Sequence, residues 1–413
     1  MRVFLSFFLW FISTLAVFAQ DQQFGYTLPK KQYFAKIPFE LVSNLIIVPV
    51  FINQSDTLRF ILDTGVSATI LTDPITAAKV GLSGNREVGI TGTGSGGELK
   101  AKVSVGNTIR MGDMTGHSQN IVVLQEDLLN LSEFVGVPIH GIFGYEIFNR
   151  FVVTIDFLTR EIILQLPEKY KYRVRRNTMR FPIEVEETKP YFTGISVPEY
   201  GKNKPMRVLI DTGAGHCLSL ESTKEQRFTL PERRIGTQLG RGLSGNVSGY
   251  LGRVKEIKVG NLTLKDPVVS FPDSISMSAR LFARAARQGT IGCELLRRFK
   301  VTFNYSEHYM TLKPIKVKIK EPFEHNMTGM ELLAKGVEFR DLYISKIDAD
   351  SPADNAGLIA GDQLMFINEK SVKRLLLNDV YKLFQKGDSK DLTMLVKRGE
   401  SVFVVVLKLK RQI

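Results

Sequence analysis

Two short segments of the 413-residue chain carry the same acidic motif after the same kind of apolar run. Phe60-Ile61-Leu62 leads into Asp63-Thr64-Gly65, and Val208-Leu209-Ile210 leads into Asp211-Thr212-Gly213, 148 positions later. Two carboxylates that lie close together cannot both ionise, so such a pair shares one proton and contains both a base and an acid. One member can then deprotonate a water that attacks a carbonyl carbon, while the other protonates the carbonyl oxygen. The pattern therefore favours hydrolysis of amide bonds without a metal ion.

The spacing of 148 residues recurs along about a hundred residues. Ile109–Gly112 corresponds to Ile257–Gly260, and Ile142–Glu146 corresponds to Thr290–Glu294. A constant offset over this length indicates two tandem copies of one domain. Because equivalent residues of two associated copies meet at the axis between them, we expect the two aspartates to face each other. The glycines of the motifs allow close backbone approach, and the threonine hydroxyls can hydrogen-bond across the axis.

Short β-strands predominate in each copy. Six segments of the first copy are rich in β-branched and aromatic residues and are bounded by Gly, Asn or Asp. They are Leu45–Phe51, Arg59–Leu62, Leu99–Val105, Ile121–Leu124, Val152–Phe157 and Glu161–Gln165. Ile75–Val80 is the clearest helical window. Each copy is therefore predicted to be a mostly β domain, and a basic connector from Lys169 to Arg180 lies between them. A β-sandwich binding module would have a similar pattern.

The paired motifs resemble those of the aspartic peptidases, in which each lobe has an apolar-apolar-Asp-Thr-Gly segment and a later apolar-apolar-Gly strand. Both elements of this pattern are present in each copy. The first copy has Ile61–Gly65 and Ile142–Gly144, and the second has Leu209–Gly213 and Thr290–Gly292. The resemblance implies a mainly β, bilobed acid-protease fold with two retropepsin-like β-barrel lobes at residues 38–168 and 181–316. It also implies an aspartic endopeptidase that needs no metal and no cofactor. The site residues that it implies are the catalytic Asp63 and Asp211 and the supporting Thr64, Gly65, Thr212 and Gly213.

The same resemblance implies a glycine-rich flap in each lobe that closes over the peptide and excludes water. The expected flap residues are Gly92, Thr93 and Gly94 in the first copy and Gly240, Arg241 and Gly242 in the second. Glycine-rich loops also bind phosphate, but neither stretch has the Lys-Ser/Thr ending or the following helix of a P-loop.

The residues after the two Asp-Thr-Gly motifs depart from the usual choices of the family. Val66 and Ala214 stand there, and neither side chain can donate a hydrogen bond to a carboxylate. Activity is therefore expected to peak at mildly acidic to neutral pH, and the bulk of Val66 could narrow the pocket. His216 has Ala68 at its repeat position and is interpreted as a loop histidine.

The last hundred residues carry a second ordered pattern. The pattern resembles the central signature of PDZ domains, with a short helix, a tight turn and an apolar strand. The segments that carry it are Ser351–Leu358, Gly361–Leu364 and Ile367-Asn368. The resemblance covers about residues 320–413 and includes a helix near Leu376–Gln385 and a hairpin that turns at residues 398–400. It implies an α+β domain that binds extended or C-terminal peptides by strand addition. Gly329, Met330, Glu331 and Leu332 occupy the position of the carboxylate-binding loop. Alternatively, the domain only packs on the lobes or blocks the cleft.

Residues 1–19 are typical of a secretory signal peptide. Arg2 precedes an apolar run from Val3 to Phe18, and Val17 and Ala19 occupy the small-residue positions of a cleavage site. The run is shorter than the ~20 residues that cross a bilayer, which disfavours an uncleaved anchor. Residues 20–37 are predicted to be an N-terminal leader or a removable prosegment. A leader here would be disordered or would form an edge strand. We expect export to the periplasm or the extracellular medium, without a stable membrane anchor.

The composition excludes several other classes of protein. A content of 44% hydrophobic and 23% charged residues excludes disorder and collagen-like rods, and the length suggests roughly three domains. The net charge of +13 is small for this length and no basic run is interleaved with aromatic residues, so no nucleic-acid partner is predicted. Cys217 and Cys293 could pair or remain free, and the scattered histidines and cysteines have no metal-ligand spacing.

Three functions are compatible with these patterns. The leading interpretation is an exported aspartic endopeptidase that cleaves polypeptides, with a PDZ domain that assists substrate recognition, in a monomer with an internal pseudo-twofold axis. The alternatives are a catalytically silent peptide-binding protein of the cell envelope and a structural envelope protein that uses its PDZ domain as an adaptor. Two intact Asp-Thr-Gly motifs favour the enzyme, since a binder has no chemical need for both acids.

Overall fold

The computed structural model describes residues 24–84, 86–201, 204–222, 227–276 and 287–413. The predicted signal peptide lies outside these residues. The described chain is mainly β, with two lobes followed by an α+β domain, which confirms the predicted fold class.

The first lobe is built around a closed barrel of six strands. The strands of the N-terminal part are β1 (Gly25–Thr27), β2 (Phe34–Pro38), β3 (Glu40–Val42), β4 (Leu45–Ile52), β5 (Leu58–Leu62), β6 (Thr69–Leu71), β7 (Arg86–Ile90), β8 (Leu99–Met111), β9 (Met114–Leu124), β10 (Gly141–Phe143), β11 (Val152–Asp156) and β12 (Glu161–Gln165). The barrel follows the order β9-β6-β10-β5-β4-β8 and closes because β8 also pairs with β9. Most of its buried apolar side chains belong to one large core that continues into the second lobe, and others form two smaller clusters. The predicted strand windows are confirmed, although β8 and β9 extend well beyond them.

Three short helices belong to this lobe: α1 (Pro74–Lys79), α2 (Leu131–Val135) and α3 (Tyr145–Arg150). The predicted helix near Ile75–Val80 corresponds to α1. It begins there because the Asp73 carboxylate accepts hydrogen bonds from the N–H groups of Ile75 and Thr76, and Pro74 occupies the first helical turn.

The second lobe repeats the central strands of the first. Its elements are β13 (Met179–Glu186), β14 (Lys189–Ser196), β15 (Met206–Ile210), β16 (Leu218–Leu220), β17 (Arg234–Gly242), β18 (Gly245–Arg253), β19 (Glu256–Val259), β20 (Leu262–Lys265), β21 (Val268–Pro272), β22 (Gly289–Ile291), α4 (Cys293–Leu296), β23 (Phe299–Asn304) and β24 (Tyr309–Pro314). β22 pairs with β15 in parallel and with β16 antiparallel, as β10 does with β5 and β6. This arrangement surrounds each Asp-Thr-Gly loop with the same three strands.

A sheet shared by the two lobes was not predicted from the repeat. β11 of the first lobe pairs with β23 of the second, and their Thr154 and Thr302 hydroxyl oxygens lie 2.9 Å apart. β12 continues the same sheet and pairs with β2, whose first residue, Phe34, lies within the predicted leader. Strands from the beginning, the middle and the end of the double lobe therefore form one sheet.

The PDZ domain has its own sheet and its own hydrophobic core. After the linker helix α5 (Lys316–Ile319), its elements are β25 (Met330–Lys335), β26 (Asp341–Ile347), α6 (Pro352–Asn355), β27 (Gln363–Ile367), β28 (Lys370–Ser371), α7 (Leu377–Phe384), β29 (Asp391–Arg398) and β30 (Ser401–Lys408). The predicted helix near Leu376–Gln385 and the hairpin turn at residues 398–400 are confirmed. Buried Asp362 of the predicted tight turn accepts two hydrogen bonds from Arg398, of 2.7 and 2.8 Å.

The linker to the PDZ domain is held on the second lobe by a buried arginine. The fully buried side chain of Arg298 donates hydrogen bonds to the carbonyl oxygens of Lys318 and Glu321 and pairs with Glu294. Its guanidinium also lies 3.6 Å from the ring centroid of Phe323. A group with five donors can fix several carbonyls at once, so the linker has a defined path.

Two further features of the described residues concern helix length and the cysteines. None of their helices is long and apolar enough to cross a membrane. Cys217 and Cys293 are both buried free thiols, so the pairing that the sequence left open does not occur in this structure.

Candidate active site

The two Asp-Thr-Gly loops lie side by side where the lobes meet. Asp63 directly follows β5, and its N–H donates to the carbonyl of Phe143 in β10 at 2.8 Å. Asp211 directly follows β15, and its N–H donates to the carbonyl of Ile291 in β22 at 2.9 Å. The parallel strand next to each loop therefore fixes the backbone of each aspartate.

The threonines of the two motifs exchange hydrogen bonds across the lobe interface. The Thr64 N–H donates to Thr212 Oγ1 and the Thr212 N–H donates to Thr64 Oγ1, both at 3.0 Å. The Thr64 hydroxyl donates to the carbonyl of Ile210 at 2.7 Å, and the Thr212 hydroxyl donates to that of Leu62 at 2.8 Å. Both side chains are fully buried, so these four bonds hold the two loops in one position relative to each other.

The glycines bring the carboxylates together. Gly65 donates its N–H to Asp63 Oδ1 at 2.6 Å, and Gly213 donates its N–H to Asp211 Oδ1 at 2.8 Å. A Cβ atom at Gly213 would lie 2.3 Å from Asp63 Cγ, a distance that no side chain tolerates. The predicted pair, Asp63 and Asp211, is thus in contact, together with the four supporting residues.

The carboxyl of Asp63 holds its proton more tightly than an ordinary aspartate. Burial is the largest cause of its pKa being well above the usual value, and the neighbouring charge of Asp211 raises the pKa further. The hydrogen bond with Asp211 acts in the same direction, whereas the Gly65 N–H and the charge of Lys189 lower the pKa. The pair is therefore suited to sharing one proton, which is the state needed to activate a water.

His216 lies next to this pair but is engaged with the backbone. Its Nε2 is 3.2 Å from the carbonyl oxygen of Thr290, so that nitrogen carries the proton and donates. Burial lowers the pKa of His216 although the charge of Asp211 opposes the shift. The imidazole is therefore neutral near pH 7, in agreement with its interpretation as a loop histidine.

The two predicted flaps are the tips of hairpins that meet above the aspartates. The first tip connects β7 and β8, and the second connects β17 and β18. The Ser244 N–H donates to the Thr93 carbonyl at 3.0 Å, and the Gly92 N–H donates to Ser244 Oγ at 2.9 Å. Gly94 has a φ of +133°, which favours glycine, and a Cβ there would lie 2.5 Å from the Ser244 carbonyl carbon. The tips are thus in direct contact, and peptide closure by them stays a prediction.

Arg241 extends the contact of the second hairpin to the first lobe. It donates from Nη1 to the Leu129 carbonyl at 2.9 Å, and its guanidinium lies 4.2 Å from the ring centroid of Phe134. Gly240 and Gly242 flank it, and a Cβ at Gly242 would lie 2.1 Å from the Thr93 carbonyl oxygen. Arg241 thus anchors the second hairpin, which belongs to the second lobe, to residues of the first lobe.

A single cleft of about 2530 Å³ joins the aspartates to the PDZ domain. Its walls come from both Asp-Thr-Gly loops, from both hairpins and from β25 and α7 of the PDZ domain. The PDZ residues that line it include Met330, Glu331, Asn378, Tyr381 and Lys382. A volume of this size accommodates an extended peptide of several residues.

The edge of β25 that faces α7 is occupied by the domain's own side chains. The Leu332 N–H donates to the Tyr381 hydroxyl at 2.9 Å, and the Met330 N–H donates to the Thr328 hydroxyl at 3.1 Å. The Thr328 N–H in turn donates to Asn326 Oδ1 at 3.0 Å. The predicted loop of Gly329, Met330, Glu331 and Leu332 lies at the expected place. The backbone N–H donors of Met330 and Leu332 already have partners within the domain, and the peptide-binding role of the loop stays a prediction. Sequence reasoning missed the three polar side chains, whose spacing has no recognisable pattern.

The PDZ domain also contacts the second hairpin and the first lobe. Thr237 of β17 donates its hydroxyl to Asp348 at 3.0 Å, and Gln238 donates to Glu331 Oε1 at 3.4 Å. On the other side, the Ser43 N–H donates to Asn378 Oδ1 at 3.2 Å. The domain therefore bridges one hairpin of the cleft and the opposite lobe.

The part of the chain that the structure describes contains no group of three or more His, Cys, Asp or Glu side chains arranged to hold a metal ion. The comparisons with known proteins agree with the geometry. An aspartyl protease family model matches residues 48–147 and again residues 198–295, and a PDZ domain model matches residues 343–398. The chain therefore belongs to the retropepsin-like aspartyl proteases, with two tandem lobes, and carries a PDZ domain after them. No curated protein matches it in sequence.

Proposed function

We propose that the chain is an exported aspartic endopeptidase that hydrolyses peptide bonds in the cleft between its lobes, with Asp63 and Asp211 as the catalytic pair. The observation that carries the proposal is the contact of these two carboxyls at the floor of a cleft that is also lined by two hairpins. Membership of the aspartyl protease family supports it independently.

The reaction follows from one shared proton. The ionised carboxylate of the pair removes a proton from a water molecule as that water attacks the peptide carbonyl carbon. The protonated carboxyl gives its proton to the carbonyl oxygen, so a neutral tetrahedral intermediate forms. The protonated carboxyl then gives a proton to the amine nitrogen while the ionised carboxylate takes a proton from a hydroxyl of the intermediate, so the C–N bond breaks and the carboxylic acid and the amine are released. The reciprocal hydrogen bonds of Thr64 and Thr212 keep the two carboxyls positioned throughout these steps.

We further propose that the PDZ domain assists recognition of polypeptide substrates as a wall of the cleft. Its Met330, Glu331 and Tyr381 line the same cavity as the aspartates, so a bound chain would contact both. The lobes then form an internal pseudo-twofold within one chain, as the reciprocal threonine bonds suggest.

The test is cleavage of an unfolded protein such as casein by the chain from Gln20 onward, between pH 3 and 8. Asp63→Asn and Asp211→Asn are each expected to abolish cleavage, whereas the exposed Asp113→Asn serves as the matched control and keeps it. A wild-type chain that is inactive at every pH, or an Asp63→Asn or Asp211→Asn chain that retains activity, contradicts the proposal. N-terminal sequencing of the protein recovered from cell fractions tests export and cleavage after Ala19.

A further inference from the structure

The floor of the cleft in the first lobe carries a row of aliphatic side chains. Ile142 of β10 lies directly opposite Ile70 of β6, and Ile70 is paired in turn with Val122 of β9. Residues directly opposite each other in neighbouring strands have their side chains on the same face of the sheet. Ile70 and Val122 line the cleft. Ile142 lies beside Ile70 on the same face of the sheet. We refer to these three residues as the aliphatic row.

The equivalent row of the second lobe consists of hydroxyl side chains. Thr290 of β22 lies opposite Ser219 of β16, and Ser219 is paired with Ser270 of β21. All three line the cleft, and we refer to them as the hydroxyl row. The offset between the lobes is 148 residues at Ile142 and Thr290 but 149 at Ile70 and Ser219. An extra residue after the second Asp-Thr-Gly motif therefore hides this correspondence in the sequence.

A buried ion pair accompanies the hydroxyl row. Thr290 Oγ1 donates to Glu221 Oε1 at 2.6 Å, and Arg287 Nε donates to Glu221 Oε2 at 2.8 Å. The side chains of Arg287 and Glu221 are only 11% and 6% exposed, and both line the cleft. The corresponding residues of the first lobe are Ile139 and Thr72, which carry no charge. The two halves of the cleft thus differ in polarity along the two rows, and the second half has a buried ion pair where the first lobe has the uncharged Ile139 and Thr72.

The difference determines which side chain each half accepts. An aliphatic side chain placed over the hydroxyl row removes water from polar groups without replacing its hydrogen bonds, at a penalty large enough to reject it. An amide or hydroxyl side chain replaces those bonds. A charged side chain finds no free counter-charge in this ion pair, because Arg287 and Glu221 already neutralise each other. The aliphatic row offers no hydrogen-bond partner and favours a branched apolar side chain.

We propose that the cleft binds peptides asymmetrically, with a branched aliphatic side chain against the aliphatic row and a neutral hydrogen-bonding side chain, such as Gln or Thr, against the hydroxyl row. Because each row lies next to one aspartate loop, the two side chains lie on either side of the carboxyl pair. This inference rests on the proposed function only in that the cleft holds a peptide.

Binding to the Asp63→Asn chain tests the inference without requiring catalysis. Four fluorescent peptides that differ only at two central positions, Leu-Gln, Gln-Leu, Leu-Leu and Gln-Gln, are compared by anisotropy. We expect one of the two mixed peptides to bind about tenfold more tightly than Leu-Leu and Gln-Gln. Equal affinities, a preference for Leu-Leu or for Gln-Gln, or no binding by any of the four would overturn the inference.

Changes in the hydroxyl row should convert its preference. In the same background, Thr290→Val together with Ser219→Ala is expected to favour Leu-Leu. The exposed change Thr263→Val on β20, outside the cleft, should leave the preference for the mixed peptide unchanged. Ser270→Ala is a milder change in the same direction if the double variant does not fold, as judged by thermal unfolding. An unchanged preference in folded hydroxyl-row variants would count against the proposal.

Cleavage of the same peptides by the wild-type chain separates this inference from the proposed function. Asymmetric binding without cleavage contradicts the peptidase and supports the asymmetric cleft. Cleavage accompanied by equal binding of the four peptides supports the peptidase and overturns the asymmetric cleft.

Discussion

The backbone N–H of Leu332 donates a 2.9 Å hydrogen bond to the hydroxyl oxygen of Tyr381. Leu332 lies in β25, an edge strand of the PDZ sheet, and Tyr381 lies in α7, so the tyrosine occupies the position at which a peptide strand would be added. A peptide that binds there must displace this hydroxyl. The groove between β25 and α7 is therefore closed at Leu332 by the hydroxyl of Tyr381. Loss of this hydrogen bond should open the groove.

Removing the hydroxyl is expected to open the groove. Tyr381→Phe leaves the Leu332 N–H free for a peptide carbonyl, so the affinity for short peptides with a free C-terminus should rise several-fold. Fluorescence anisotropy with the full chain measures this change. Tyr343→Phe, on the neighbouring strand β26, is the matched control. An affinity that is the same in Tyr381→Phe as in the wild type would show that the tyrosine does not close the groove.

The contacts between β17 and the PDZ domain should hold the second hairpin in place. Thr237→Val removes the hydrogen bond to Asp348, so backbone amides of residues 234–242 are expected to exchange faster with deuterium. Hydrogen exchange followed by mass spectrometry measures this. Thr263→Val, an exposed change on β20, serves as a control and should leave the exchange of residues 234–242 unaltered. Unchanged protection of the hairpin in Thr237→Val would mean that the PDZ domain does not hold it.

Asp63 should decrease the stability of the fold as the pH rises. Its pKa is raised in the folded chain, so the folded state binds the proton more tightly than the unfolded state. The free energy of unfolding therefore falls as the pH rises from the unfolded pKa, near 4, to the raised value. Asp63→Asn removes this dependence and should have a higher Tm than the wild type at pH 7, by about 2–4 °C for each kcal/mol released. At pH 3 the two Tm values should nearly coincide.

Thermal unfolding of Asp63→Asn, Asp113→Asn and the wild type between pH 3 and 8 measures this effect. The control substitution is at an exposed aspartate and should follow the wild type. A wild-type chain that gains stability relative to Asp63→Asn as the pH rises would contradict the raised pKa.

The proposed activity should extend to mildly acidic and neutral pH. Catalysis needs one shared proton, and the raised pKa of Asp63 keeps that proton bound at pH values at which an ordinary aspartate is ionised. Cleavage should be lost as the pH rises through the raised pKa. Initial rates on a peptide substrate across pH 2 to 9 give the profile, and an optimum near pH 2 would contradict it.

The reciprocal threonine bonds should be a major source of lobe association. Thr64→Val removes the acceptor of the Thr212 N–H and the donor to the Ile210 carbonyl, which leaves two buried groups unpaired. At roughly 1–3 kcal/mol for each of the two groups, the loss should be about 2–6 kcal/mol. Urea unfolding measures it, and Thr64→Ser, which keeps the hydroxyl, should lose much less. Equal losses in the two variants would show that the hydroxyl hydrogen bonds are not the main source of the loss.

Local patterns were sufficient to predict six strands of the first lobe, the contact of Asp63 with Asp211 and the helix α7 of the PDZ domain. They act over a few residues, or through a repeat that the sequence displays directly. The pairing of β11 with β23 was not predictable, because any exposed strand edge can accept a partner and the repeat does not specify which one. The hydroxyl row was missed for a different reason: Ser219 corresponds to Ile70 only after a shift of one residue. Closure of the PDZ groove depends on the side-chain position of Tyr381, which only the packed domain determines.

The sheet shared by the two lobes has a consequence for how the chain reaches its native state. Thr154 and Thr302 are 148 positions apart, and β2 joins the same sheet through β12. Contacts between residues so distant in sequence form slowly, because a long loop must close before any of them contributes stability. The first lobe can complete its barrel during synthesis, but β11 has no partner on its β23 side until the second lobe has been made. We therefore expect a late folding step in which an exposed strand edge is open to aggregation, and a benefit from chaperones that bind such edges.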